Sequence, residues 1–160
     1  MEVYTRRADL KSTLSLHRIN GRTVGFVPTM GALHEGHLSL VNAAQMLCDV
    51  VVVSIFVNPI QFNNPEDLEK YPRTLRADLE KLQAIDCDMV FVPSVEEMYP
   101  EPVTETYDFG ELEAVMEGPR RPGHFAGVAA VVRRLFEIVE PNKAFFGEKI
   151  FSSWPSFANW

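Results

Sequence analysis

Hydrophobic positions along the chain fall into two alternating patterns. Short, nearly unbroken apolar runs occur at residues 23–28 (TVGFVP), 48–58 (CDVVVVSIFVN), 88–93 (DMVFVP) and 143–147 (KAFFG). Between them, apolar residues recur every three or four positions. Residues 5–19 carry Leu10 and Leu14, with Leu16 and Ile19 less regularly placed; 36–47 carry Leu38 and Val41. Residues 73–85 carry Leu75, Leu79, Leu82 and Ile85, and 125–139 carry Val128, Val131, Val132, Leu135 and Val139. Such spacing keeps one helix face apolar, so four helices are predicted. The runs predict strands. Residues 48–58 hold five valines with Ile55 and Phe56 and almost no polar alternation, the signature of a strand covered on both faces, as in a parallel sheet. Pro28 is expected to end the first strand, Asn20, Gly21 and Arg22 to make a turn, and residues 93–122 to form a proline-punctuated segment.

Strand and helix alternate throughout, which predicts an α/β fold: a parallel sheet joined by βαβ crossovers, with helices on both faces. Ligands of such sheets bind beyond the carboxyl ends of the strands. The segments that follow those ends are 28–37, 58–63 and 147–149. At 160 residues the chain suits one domain, and no internal repeat or low-complexity tract interrupts it.

A formal charge of −7 argues against general binding of nucleic acid or anionic membrane, while leaving room for an anionic ligand at a local site. Cys48 and Cys87 stand apart, each beside an apolar run, and are expected to be inert buried thiols; no metal site is predicted. The start, MEVYTRRADLKS, lacks the apolar centre of a signal peptide, and no segment approaches the roughly 20 apolar residues of a membrane span. A cytoplasmic protein is expected.

The chemistry concentrates in PTMGALHEGHLSLV, residues 28–41, where a buried strand meets a helix. The pattern GxxxxGK[ST] fails because His37 and Leu38 follow Gly36; GxGxxG is absent; and His34 and His37 are three apart, where the zinc helix HExxH needs four. A helix start with small residues does offer free backbone N–H groups and the positive end of the helix dipole, an anion site. Gly31 and Gly36 remove side chains that would block a phosphate, and His34 and His37 can donate to it. The plainer alternative is a pair of helix-start histidines satisfied by solvent or a carboxylate. Asn58 and Gln61 place neutral amides after the valine-rich strand, suited to a hydroxy acid or to capping a turn at Pro59. His124 is assigned to the start of the last helix, His17 to the surface, and Arg120 and Arg121 to no single role.

HEGH after VPTMGAL resembles the HxGH signature of the nucleotidylyltransferase superfamily. More narrowly, VPTMGALHEGH, VVVSIFVNPIQF, PEDLEKYPRTLRAD, RPGHFAGV and FFGEK resemble, in order, the blocks of the pantothenate synthetase (pantoate–β-alanine ligase) family, from about residue 24 to Lys149. The resemblance implies a Rossmann-like domain of nucleotidylyltransferase type over residues 1–149. It implies an AMP-forming ligase of the pathway to pantothenate and coenzyme A, with ATP and Mg2+, pantoate and β-alanine as substrates, working as a homodimer. By the same resemblance Met30, Gly31, Ala32, Leu33, His34, Glu35, Gly36 and His37 bind ATP, with His37 the catalytic proton donor on the phosphates. Gly147, Glu148 and Lys149 open a second ATP segment, and Gln61 contacts pantoate near β-alanine. The alternatives are another HxGH nucleotidylyltransferase, or a folded dimeric module without catalysis.

After FFGEK the family continues with aspartate, phenylalanine, two glutamines and leucine, whereas this chain reads IFSSWPSFANW, residues 150–160. Write that segment as ATT TTC AGC AGT TGG CCN TCN TTY GCN AAY TGG. One G restored after the lysine codon regroups it as GAT TTT CAG CAG TTG GCC, or Asp-Phe-Gln-Gln-Leu-Ala, the family pattern. Residues 150–160 are therefore expected to be an aberrant tail from a one-base deletion near codon 150. Ile150 then replaces the family aspartate on the ribose side of ATP, Ser153 replaces the second glutamine, and the family's carboxyl-terminal lid domain is missing, leaving little or no turnover. Sequencing the encoding DNA checks this: those codons are expected, and an in-frame gene with other synonymous bases removes the idea.

Overall fold

The computed structural model describes residues 1–59, 65–70, 72–100, 124–146 and 149–152, with Asp67, 124–128 and 149–152 described by backbone alone. Six strands form one sheet: β1 (Glu2–Tyr4), β2 (Val24–Thr29), β3 (Val50–Ile55), β4 (Met89–Phe91), β5 (Lys143–Phe146) and β6 (Lys149–Ser152). Their spatial order is β1-β4-β3-β2-β5-β6. The first five pair in parallel, and β6 turns back antiparallel to β5, Phe145 opposite Ile150. The helices are α1 (Arg7–Ile19), α2 (Glu35–Leu47), α3 (Pro65–Lys70), α4 (Leu75–Ala84), α5 (Val95–Met98) and α6 (His124–Val139). No helix among the described residues is long and apolar enough to cross a membrane.

The uniform apolarity of β3 has the cause inferred from the sequence. Val50 and Val52 join Val24 and Phe26 of β2, Leu10 and Leu14 of α1, and Leu135 and Phe136 of α6 in one buried cluster. Val51, Val53 and Ile55 join Val27, Val41 and Ala44 of α2, and Leu82 of α4 in the other. Each face of the sheet therefore has its own core, and successive valines serve opposite faces. Phe26 packs edge-to-face on Phe136, their centroids 6.0 Å apart. Close seating of α2 requires Gly25: a Cβ there would lie 3.0 Å from Cys48 Sγ. Both cysteines are buried free thiols, and burial pushes Cys87 up to about 12.

Three expectations need correction. Pro28 does not end β2; it pairs with Ser54, and the strand runs on to Thr29, whose Oγ1 donates to the Ser54 carbonyl at 2.8 Å. Leu16 and Ile19, 62% and 80% exposed, lie off the buried stripe of α1, as does Leu75 on α4. His17 is partly exposed at the surface, as assigned, and its Nδ1 accepts from Arg22 at 3.1 Å. The short elements β1, α3 and α5 leave no mark in the hydrophobic pattern. Residues 150–152 lie in β6.

At the amino ends of the strands, three side chains fix the register. Asp49 Oδ2 accepts from the Thr23 amide and hydroxyl at 2.8 and 3.0 Å, bonds that hold its carboxyl below the usual range. Asp88 Oδ2 accepts from Val51 N at 2.8 Å, and Asn142 Oδ1 from Val24 N at 2.8 Å. Each joins a strand to its parallel neighbour. The Phe26→Ala variant is expected to lose about 3–5 kcal/mol of unfolding free energy, the usual result of emptying a fully buried aromatic position; equilibrium denaturation in urea measures it.

Candidate functional site

The sheet order reverses at β2, which lies between β3 on one side and β5 on the other. The crevice beyond the carboxyl ends of β2 and β5 is thus the topological switch point, where open α/β sheets bind ligands. The segment that leaves β2 there is the one carrying the two histidines. A cavity of about 390 Å³ adjoins it, lined by Met30 and Gly31, by the segments after β3 and β4, and by Arg73, Thr74 and Asp78 at the start of α4.

Two of the loop residues have left-handed backbone, Gly31 at φ 85° and Ala32 at φ 52°. For alanine that conformation costs on the order of 1–3 kcal/mol and needs outside support. The support is Asp78, 1% exposed. Its Oδ2 accepts from Ala32 N at 3.0 Å and its Oδ1 from Leu33 N at 2.9 Å, while the Thr74 hydroxyl lies 3.3 Å from both oxygens. Lys81, one turn further along α4, donates to the Leu33 carbonyl at 2.8 Å. The Leu33 side chain is buried with Val27 and Val41.

The histidines cap α2 reciprocally. Gly36 N donates to His34 Nδ1 at 3.0 Å, and His34 N donates to His37 Nδ1 at 3.2 Å. An Nδ1 that accepts an amide proton must keep its lone pair, so in each neutral ring the proton sits on Nε2. The rings lie 4.1 Å apart, tilted by 44°. Burial, aided by His34, lowers the His37 pKa from the ordinary imidazole value, and Asp78 pulls it the other way.

This geometry corrects the sequence reading on two points. The loop amides are not free donors: of the six from Gly31 to Gly36, five are engaged inside the protein, Gly31 N with Thr29 Oγ1 at 3.2 Å and the others as above. The glycines also make room for the protein's own groups. A Cβ at Gly36 would lie 2.7 Å from His34 Cε1, and one at Gly31 would lie 3.2 Å from Asp78 Oδ2. What the loop offers an anion is therefore two Nε2–H donors near the start of α2, where the helix dipole is positive. The structure brings together Met30, Gly31, Ala32, Leu33, His34, Glu35, Gly36 and His37 in this one segment. Asn58 is buried, its Oδ1 accepting from the Tyr99 hydroxyl at 2.7 Å. His124 opens α6, as assigned. Gln61, Gly147, Glu148, Arg120 and Arg121 lie outside the described residues, and Lys149 is placed by its backbone in β6. Sequence reasoning missed the part played by Asp78, although the block PEDLEKYPRTLRAD ends on it.

Because His37 binds protons less readily folded than unfolded, the unfolded chain carries more of them as the solution is acidified. The contribution of His37 is complete above about pH 6.5, the unfolded value. It is lost as pH falls from there toward the lower folded pKa. Denaturation midpoints of the unmodified chain are expected to drop across that window. In His37→Asn, which keeps an acceptor for His34 N but does not titrate, the drop should shrink; equal slopes in the two proteins would exclude His37 as its source.

Known proteins resemble this chain in sequence and fold. The Pantoate-beta-alanine ligase family model matches residues 2–154. The pantothenate synthetase of Porphyromonas gingivalis (strain ATCC BAA-308 / W83) is 56% identical over 151 residues, covering 94% of this chain and 54% of that protein. The crystal structure of pantothenate synthetase from Thermus thermophilus superposes with a TM-score of 0.82 at 49% identity, covering 93% of this chain and 52% of that one. A pantoate-beta-alanine ligase from Francisella tularensis, crystallised in complex with beta-gamma ATP and beta-alanine, gives a TM-score of 0.85 at 43% identity, with coverages of 93% and 57%. The chain spans about half the length of the curated relatives it matches. With the parallel sheet, the loop at its switch point and these likenesses in hand, the chain belongs to the pantoate–β-alanine ligase family.

Proposed function

We propose that this chain supplies the nucleotide-binding part of an ATP-dependent, AMP-forming ligase that joins pantoate to β-alanine in pantothenate biosynthesis. The observation that carries the reading is the reciprocal cap, which holds two imidazoles 4.1 Å apart at the switch point with Nε2–H as the donor of each. Family membership supplies the reaction.

In the first step a pantoate carboxylate oxygen bonds to the α-phosphorus of ATP and the bond from that phosphorus to the bridging β-phosphate oxygen breaks, releasing pyrophosphate. The β-alanine amine then attacks the acyl carbon, the bond to the AMP oxygen breaks, and the nitrogen sheds a proton. Charge grows on the leaving pyrophosphate, and donors already fixed in place stabilise it without reorganising. His34 and His37 are those donors, with His37 the catalytic one. The cavity of about 390 Å³ is largely apolar, with Arg73, Thr74 and Asp78 in its lining, which suits the gem-dimethyl body of pantoate beside the loop. Gln61 at its family position binds pantoate, and Gly147, Glu148 and Lys149 complete the ATP site.

Magnesium enters as part of the nucleotide substrate. Among the described residues no group of three or more His, Cys, Asp or Glu could hold a metal, and the Asp78 oxygens are already engaged, so no step is assigned to a protein-held ion. We place the catalytic domain at residues 1–149, with 150–160 outside it. The protein is read as a cytoplasmic homodimer.

The test is ATP–pyrophosphate exchange with pantoate, on this chain and on a version carrying the family sequence after Lys149. Exchange that depends on pantoate, followed by amide formation when β-alanine is added, is expected in the restored version. Exchange with a phosphorylated acceptor in place of pantoate would point to another HxGH enzyme, and a dimer without exchange to a non-catalytic module. In the restored version His37→Ala should slow adenylate formation by about 10²–10³, with pantoate binding nearly unchanged. Single-turnover adenylation at the unmodified rate would take His37 out of the mechanism.

A further inference from the structure

We propose that Asp78 is the positioning residue of the imidazole pair, holding the loop before α2 in the one conformation that presents both rings; this rests on reading that loop as the phosphate-binding segment. A carboxylate beside a polyphosphate site is at first sight misplaced, because like charges repel. Its hydrogen bonds show why it is tolerated. Both oxygens accept from consecutive amides, Ala32 N and Leu33 N, and both lie within reach of the Thr74 hydroxyl. The charge is engaged by two backbone amides and a hydroxyl, although the residue also lines the cavity. Such charge-assisted bonds are about twice as strong as neutral ones.

The grip has two ends. Lys81 takes the Leu33 carbonyl at 2.8 Å, so α4 holds the donor of Ala32 and both donor and acceptor of Leu33, immediately before His34. With Ala32 in the left-handed region, the direction in which the chain leaves Leu33 is set there, and with it the aim of His34 N at His37 Nδ1. Gly31 belongs to the same device, since a Cβ would press on Asp78 Oδ2 at 3.2 Å. Asp78 and His34 also act on the His37 ring electrostatically, in opposite directions.

The test uses this chain with Asp78→Asn and Lys81→Met, below the unfolding transition of each. In Asp78→Asn, hydrogen exchange at the Ala32 and Leu33 amides should quicken by about ten- to hundredfold, from the loss of two charge-assisted bonds. NMR titration of the His37 ring should move down, because a charge that raises it is gone. Affinity for ATP should weaken by roughly tenfold. A residue with a merely stabilising part would lower the unfolding temperature while leaving the ring titration where it was, and that result overturns the proposal. If Asp78→Asn does not fold, Lys81→Met decides: unchanged exchange at Leu33 and His34 there also overturns it. Should the unmodified chain fail to bind ATP, the nucleotide reading falls, while exchange and titration still decide whether Asp78 positions the rings.

Discussion

The pairing of β2 with β3 in parallel, with both faces of the pair buried, governs the rest of the molecule. Parallel neighbours cannot be joined by a tight turn, so the chain must leave one edge, cover a face with a helix and return at the opposite edge. The carboxyl ends of β1 to β5 then open on one edge of the sheet. The segments after β2, β3 and β4 meet there and wall the cavity. At the other edge, the side chains of Asp49, Asp88 and Asn142 tie each strand to its neighbour. A sheet fixed in register at one edge can carry irregular backbone at the other, and that irregular backbone is where the chemistry sits.

On the functional edge, polar satisfaction decides which groups meet a ligand. Buried amides must find partners, and the loop after β2 gives most of its own to Asp78, Thr29 and the two imidazoles. The outward-facing donors are then those of the rings. Using each Nδ1 as a cap acceptor commits the proton of a neutral ring to Nε2. A cationic ring would attract phosphate more strongly, but it would set an Nδ1–H against an amide N–H and undo the cap. The arrangement thus fixes geometry at the expense of charge.

The likeness to solved pantothenate synthetases extends over 93% of the chain, and the histidine loop falls inside it. Residues 149–152 form β6 along β5, with Ile150 opposite Phe145 and Phe151 opposite Ala144. Apolar, β-prone residues beside an open strand edge are suited to such pairing. The segment thus joins the sheet at the side of the switch point formed by β5.

Residue order alone carries the architecture and the address of the site. Runs such as VVVVSI and the three-to-four spacing of α6 are periodic, and periodicity is carried by near neighbours, so β2, β3, β4, β5 and four helices are legible to within a few residues. The two histidines after a buried strand are legible for the same reason. The short elements β1, α3 and α5 carry no apolar run or helical stripe of their own and are not legible. What the Ala32 and Leu33 amides bind is settled by tertiary contact, because Asp78 stands 46 and 45 residues further on, on another helix. A glycine read as clearance for a ligand proves to be clearance for Asp78 or for a histidine ring. Local pattern records which face of an element is buried; which acceptor lies across the gap depends on how two elements dock, and no nearest-neighbour signal carries that.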